Sequence, residues 1–206
     1  MSPRPPDGRS AGELVAALAA DHFNERALAL AELVRRGRAS TAALLAALPP
    51  AGGELRARIV QGLAEIADPA AAEVFVELLG DADEEVRARA AQGLARIGDA
   101  RAVDALLQTI DDYPDILREP DTLSTDGLTD LGPAVLPRVV PLLKARGLMT
   151  RSRAFLVLRR VFPRLAGGSD WQSLWVEFGR YLPAAEQPQR DAAADRWIDW
   201  VGRQAR

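Results

Sequence analysis

The 206-residue sequence has no cysteine, a single histidine, a single lysine and only 5% aromatic residues. The lack of cysteine excludes disulfides, thiol catalysis and cysteine-ligated metals, which fits a reducing cytoplasm. Because His22 is the only histidine, neither a histidine-dependent triad nor a polyhistidine metal site can form within one chain. No run approaches about 18 uninterrupted apolar residues, and the N-terminus has no apolar signal core. We therefore expect a cytoplasmic protein that does not enter a membrane.

Strong positive charge is also lacking. The formal net charge is −3, whereas proteins that grip a phosphate backbone normally present a basic face, so nucleic acid is not an expected partner. No glycine-rich phosphate loop occurs, and the acidic stretch 111–127 lacks the spacing of a calcium loop. The sequence predicts no catalytic residue, no cofactor and no metal site.

Helix-forming residues dominate what is present. Hydrophobic residues make up 48% of the chain, mostly alanine and leucine, which favour helices because neither is β-branched. Ser10 and Glu13 have the spacing of a capping box, and Ser40 is placed to cap a helix that must end before Pro49. Short turns separate the helix signals, which favours antiparallel neighbouring helices. An all-α fold is expected.

The central part of the chain repeats itself. The stretches LRARIVQGLAEIAD, at positions 55–68, and VRARAAQGLARIGD, at positions 86–99, agree at nine of fourteen places. Weaker copies precede and follow them. A helix pair that recurs about every 30 residues cannot bury its apolar face alone and must stack on its neighbours. The sequence predicts a right-handed α-solenoid of about five to six helix pairs.

The repeats also suggest the domain boundaries. We expect a disordered lead over residues 1–9 and one continuous solenoid domain over 10–204. Within that domain the clear repeats span 40–110, an irregular repeat with an acidic insertion spans 111–132, and degenerate repeats span 133–204.

The segment DPAAAEVFVELLGDADEEVRARAAQGLARIGDARAVDALL resembles the short bacterial HEAT repeats called phycobilisome-lyase HEAT-like repeats. That resemblance implies that the second helix of each pair lines a concave face, and that Arg56, Arg87 and Arg151 link layers structurally. It also implies an alternative function, an accessory subunit of a bilin lyase or isomerase. A HEAT-like alkylpurine DNA glycosylase is a further alternative, but it would need aromatic residues inside a basic groove.

One stripe on the second helices is polar and lies outside the leucine-rich core face. We call it the polar ladder; its members are Arg58, Gln61, Glu65, Arg89, Gln92, Arg96, Asp126, Asp130, Arg153 and Arg160. It is either a groove for a protein partner of unknown identity or an ordinary solvated face. We predict a non-catalytic interaction adaptor that binds its partner through this ladder.

Two further features allow two interpretations each. Residues 111–127 break the repeat period and contain six carboxylates. This stretch is either a binding site for an arginine-rich partner or an insertion that the fold tolerates. All the tryptophans lie near the C-terminus, at positions 171, 175, 197 and 200. They either cover the last layer of the stack or form a docking surface, through which a homodimer could assemble.

Overall fold

The structure is a computed structural model that describes residues 8–115, 117–165 and 170–204. It consists of two compact units, residues 1–105 and 106–206. The expected lead over residues 1–9 lies outside the described residues except at its last two positions. The prediction of one continuous domain over 10–204 stays a prediction.

Helices account for most of both units. The first unit contains α1 (Ala11–Ala17), α2 (Phe23–Arg36), α3 (Thr41–Ala47), α4 (Gly53–Ile66), α5 (Ala72–Leu78), α6 (Glu84–Ile97) and the start of α7 (Ala102–Gln108). The second contains the end of α7, then α8 (Leu123–Leu131), α9 (Leu136–Val139), α10 (Leu148–Val161), α11 (Trp171–Glu177) and α12 (Gln187–Gln204). Short 3-10 turns extend several of them, at 37–40, 69–71, 132–135, 140–144 and 162–164. No strand occurs in the described ranges, so the all-α prediction is confirmed.

Most helix starts follow the local sequence. The Ser10 and Glu13 capping box forms in full, and the Asp83 carboxylate accepts the amide of Glu85 at the start of α6. The predicted cap at Ser40 is wrong. Ser40 is buried in a 3-10 turn that runs directly into α3, and its backbone is already helical rather than extended as an N-cap requires.

Two helical layers form the core of the first unit. Helices α2, α4 and α6 pack side by side in one layer, while α1 packs against α3 in the other. On α4, Ile59, Val60 and Leu63 are completely buried between these layers. Each such side chain contributes about 1.5–3 kcal/mol when it leaves water.

Close approach between the paired helices depends on glycine. A Cβ atom on Gly93 of α6 would lie 2.5 Å from the ring of Phe75 on α5. One repeat earlier, Gly62 and Leu44 occupy the corresponding positions of α4 and α3, and a Cβ on Gly62 would lie 3.5 Å from Leu44. In both pairs, therefore, a large side chain of the first helix packs against the glycine of the second helix.

The second unit keeps this contact but lengthens a connection. A Cβ on Gly127 of α8 would lie 2.9 Å from Leu106 of α7. Leu106 follows Phe75 by as many residues as Phe75 follows Leu44. Gly127, however, follows Gly93 by more residues than Gly93 follows Gly62. The extra length lies in the α7–α8 connection, where Pro114 and Thr122 pair in an isolated β-bridge.

Two packing arrangements build the rest of the second unit. Helix α10 packs on α8, as expected for consecutive second helices. Helix α12 packs against α9 and the 140–144 turn, and the Tyr181 hydroxyl donates to the Leu143 carbonyl of that turn at 2.6 Å.

Replacement of Gly93 by alanine tests the close approach. We expect Gly93→Ala to lower the free energy of unfolding by about 1–3 kcal/mol, because the added methyl group meets the Phe75 ring. This loss outweighs the helix-propensity gain of about 1 kcal/mol. Urea unfolding followed by circular dichroism measures the change. Gly202→Ala is the control, since open space surrounds its Cβ position; equal effects at both sites would contradict the contact.

The ends of the two clear second helices differ at one position. Ala67 ends α4 in the left-handed region (φ 53°), where Gly98 ends α6 (φ 73°). Alanine pays about 1–2 kcal/mol in that conformation and glycine does not. We expect Ala67→Gly to raise the free energy of unfolding by about 0.5–1 kcal/mol, and Gly98→Ala to lower it by a similar amount. A loss of stability in Ala67→Gly, measured by the same urea unfolding, would contradict this account.

Acid should weaken the buried ion pairs of Glu32. Hydrogen bonds from Arg35 and then Arg36 lower the pKa of Glu32 from 4.5 to about 2. A lowered carboxyl pKa stabilises the fold above the unfolded pKa, and this contribution disappears as pH falls through the folded pKa. We expect the difference in melting temperature between the native chain and Glu32→Gln to shrink between pH 4.5 and about 2. A difference that does not change with pH would show that the ion pairs contribute nothing.

Candidate partner-binding surface

The polar ladder has one group of residues, or rung, on each of α4, α6, α8 and α10. The first rung lies on α4 and comprises Arg58, Gln61 and Glu65. The guanidinium of Arg58 donates to the Leu18 carbonyl at 3.2 Å and forms an ion pair with Glu54. Gln61 donates from Nε2 to Glu65 Oε1 at 2.8 Å. These side chains are therefore ordered by neighbours on the same surface, and Glu65 remains exposed.

The second rung lies on α6 and ends in an uncompensated cation. Both Nε and Nη2 of Arg89 contact Glu85 Oε1, at 2.7 and 2.6 Å. Gln92 is half-buried one turn further along. Arg96 is exposed and makes no ion pair within the described part of the chain. In the first unit, Arg96 is the ladder cation left available to a partner.

An apolar groove adjoins the first rung. Phe23, Ala27 and Leu30 of α2 line one side, and Arg58 and Gln61 of α4 line the other, around a space of about 320 Å³. The Phe23 side chain is 72% exposed. A single exposed apolar side chain is ordinary on a protein surface, but at the edge of this groove the Phe23 ring adds to the apolar area that a partner can cover.

Sequence reasoning missed this groove. The polar ladder begins at the first clear copy of the repeat, and α2 belongs to a weaker copy that precedes it. A signal is nevertheless present: on α2, the positions that correspond to Arg58 and Gln61 hold Leu28 and Ala31, which are both exposed. Apolar residues at solvent-facing positions of a second helix indicate a surface with a different purpose.

Opposite charges on the ladder of the second unit neutralise one another. Nη1 of Arg160 on α10 lies 2.6 Å from Asp121 Oδ1 and 3.0 Å from Asp126 Oδ1. Burial raises the pKa of Asp126, and Arg160 opposes that rise. Among the ladder residues of the second unit, only Asp130 is exposed without a hydrogen bond or ion pair to a described residue. The acidic rung and the basic rung therefore bind each other.

The structure gives Arg153 a different place from the one predicted. Its side chain is buried, its Nη1 lies 2.5 Å from Asp111 Oδ1, and its Nε donates to the Pro120 carbonyl at 3.1 Å. Thr150 also donates to Asp111, at 2.5 Å. Since the guanidinium is enclosed and hydrogen-bonded, Arg153 has no surface to offer a partner. It anchors the start and the middle of the 111–127 stretch to α10.

The carboxylates of the 111–127 stretch are largely engaged within their own unit. Asp115 pairs with Arg118 at 2.7 Å, and this contact lowers the pKa of Asp115. Asp111, Asp121 and Asp126 bind the arginines of α10. Ile116, within the same stretch, lies outside the described residues. The dock for an arginine-rich partner stays a prediction, with fewer free carboxylates than the sequence suggested.

An arginine near the start of α2, α4, α6 and α10 has a structural role. Each guanidinium donates to carbonyl oxygens of the turn before its own helix: Arg26 to Ala20 and Asp21, Arg56 to Leu48, Arg87 to Asp81 and Ala82, Arg151 to Ala145 and Arg146. Arg56 also pairs with Asp81 of the next repeat at 2.7 Å. These contacts satisfy carbonyls that a helix end leaves unpaired. Of these contacts, only the Arg56–Asp81 ion pair joins successive repeats, as the resemblance implied.

The C-terminal aromatic residues pack inward. The rings of Trp171 and Trp197 stack at 5.1 Å between centroids, and Phe178 meets Trp197 edge-on at 4.9 Å. Trp197 and Trp200 are both buried. These rings fill the core of the second unit, which fits the interpretation as a cover for the last layer. Because they present little surface, they give no support to the homodimer predicted at this end.

The described ranges offer neither a metal cluster nor a membrane span. No group of three or more histidine, aspartate or glutamate side chains in those ranges could hold a metal ion. No helix among them is both long and apolar enough to cross a membrane.

No curated protein sequence matches this chain. Among solved structures it is similar to the complex of CpcE and CpcF of phycocyanin lyase from Nostoc sp. PCC7120, at 19% identity and a TM-score of 0.48, over 99% of this chain and 97% of that one. It is also similar to an engineered protein from the Northeast Structural Genomics Consortium, at 17% identity and a TM-score of 0.45, over 95% of this chain and 98% of that one.

The family comparison is specific to the central repeats. The family model for HEAT repeats matches residues 41–120, which include both copies of the repeated stretch. This match agrees with the paired helices α3–α4 and α5–α6. The resemblance to HEAT repeats that the sequence indicated is therefore confirmed over residues 41–120.

Proposed function

We propose that this protein is a non-catalytic adaptor that binds a partner protein through the second-helix face of its first unit. The observation that carries the proposal is the groove of α2 and α4 with the exposed Phe23 ring at its edge. The HEAT repeats supply a suitable scaffold, because stacked repeats present extended surfaces for binding.

The chemistry of this face suits a protein partner. The groove offers an apolar centre, and Arg58, Gln61 and Glu65 form a polar rim that is already ordered by hydrogen bonds. An apolar centre within a polar rim is the usual anatomy of a protein interface. Arginine and aromatic residues also dominate binding energy at such sites.

Arg96 extends the surface onto α6. Its guanidinium is exposed and lacks an ion pair within the described ranges, so a carboxylate of a partner could bind it without displacing an internal contact. Arg89, by contrast, already contacts Glu85, and a partner would have to compete for it. We therefore assign recognition to Phe23, Gln92 and Arg96, and a supporting role to Arg89. The bilin-lyase and glycosylase alternatives stay predictions, since no described contact favours either.

Site-specific photo-crosslinking tests the proposal. A benzoylphenylalanine at position 23 should yield a discrete crosslinked partner in native lysate, whereas the same group at Glu77, exposed on α5, should not. Gln92→Glu/Arg96→Glu should reduce the yield about tenfold through charge repulsion. Gln189→Glu/Arg203→Glu is the matched control, because it makes the same substitutions at exposed positions of α12. Equal yields from both double variants would refute binding at this face.

A further inference from the structure

A second groove lies on the other unit and belongs to no part of the proposed surface. Its floor is Met149, Phe155 and Leu156 of α10, and its walls are Pro120 from the insertion and Pro183 from the α11–α12 connection. The enclosed space is about 370 Å³. Leu156 occupies a ladder position of α10, so this stretch of the second-helix face is apolar where the first unit is polar.

The groove is held open by contacts outside it. The Phe155 ring packs against Tyr181 and Trp171, at 5.1 and 5.8 Å between centroids. The Pro120 wall is fixed because its carbonyl accepts a hydrogen bond from the buried Arg153. A preformed groove binds at lower entropic cost than one that must be ordered by its ligand.

Unpaired charges of opposite sign lie on its rim. Arg159 and Glu119 line the groove, are exposed, and make no ion pair with each other or with any other described residue. The neighbouring arginines differ in this respect, since Arg153 binds Asp111 and Arg160 binds Asp121. A cation and an anion are therefore available to fix the orientation of a bound segment.

Three exposed leucines neighbour lining residues of this groove along the chain. Leu117 is 90% exposed just before Glu119, Leu182 is 52% exposed beside Pro183, and Leu148 is 46% exposed beside Met149. Single exposed leucines are ordinary, and none of these three lines the groove itself, so the apolar surface of the groove comes from its lining residues alone.

We infer that this groove binds an amphipathic segment of a second protein, which inserts apolar side chains over Leu156 and places a carboxylate at Arg159 and a basic group at Glu119. The opposite rim charges argue for a dipolar segment over a purely apolar one. The inference does not depend on the function proposed for the first unit, because no residue is shared between the two surfaces.

Selection of random dodecapeptides displayed on phage, against the immobilised full-length chain, tests this inference. The enriched peptides should share large apolar residues together with an acidic and a basic residue. Their affinity should fall about tenfold for Arg159→Glu, whose exposed site leaves folding unaffected, and at least as much for Leu156→Glu. Circular dichroism checks that each variant is folded.

A charge exchange provides the stronger test. Glu119→Arg/Arg159→Glu should weaken the binding of the selected peptides. Peptides whose acidic and basic residues are exchanged should bind this variant with the original affinity. Gln92→Glu/Arg96→Glu, on the first unit, should change neither result. The inference is overturned if no such consensus is enriched, or if the exchanged peptides gain nothing. Self-association abolished by Leu156→Glu, measured by sedimentation, would instead assign the groove to a second copy of the chain.

Discussion

Close contact between the two helices of a repeat is the constraint on which the rest of the structure depends. Phe75 can pack on α6 only because Gly93 has no side chain, and Leu106 uses Gly127 of α8 in the same way, whereas a Cβ on Gly62 would be in ordinary contact with Leu44. Glycine is costly inside a helix, so its presence in each of these second helices indicates a packing requirement rather than a local preference. The short distance between paired helices then determines which positions are buried and which reach the surface.

The arginines divide into two groups with different consequences. One group binds turn carbonyls at the starts of α2, α4, α6 and α10 and stabilises the connections within those pairs; its members are Arg26, Arg56, Arg87 and Arg151. The ladder arginines lie further along the same helices, and their availability depends on nearby acids. Arg153 and Arg160 are bound by the insertion and by α8, whereas Arg96 remains open to solvent, as does Arg159, which lies outside the ladder. A guanidinium suits all of these tasks because it donates in several directions from one plane.

The insertion changes the second unit more than its length suggests. It lengthens the repeat only slightly, yet its carboxylates engage two arginines of α10 and its Pro120 becomes a wall of an apolar groove. In the first unit the short α3–α4 and α5–α6 connections leave the second-helix face open. The two units therefore present different surfaces on corresponding helices. The first has a polar ladder beside a groove edged by Phe23, and the second has a largely neutralised ladder beside a groove floored by Met149, Phe155 and Leu156.

The sequence by itself determined the helical class, the repeat period and most helix ends, because alanine-rich periodicity, capping residues and proline act locally. It also determined that the central segment is of the HEAT type, since the two clear copies carry the pattern in contiguous residues. Tertiary structure alone decided which ladder residues are available. The burial of Arg153 and the neutralisation of Arg160 depend on Asp111 and Asp121, which lie in the preceding repeat and far from α10 along the chain. The exposure of Phe23 and the enclosure of Trp197 likewise depend on which helices pack against them, and such long-range contacts leave no periodic trace in the sequence.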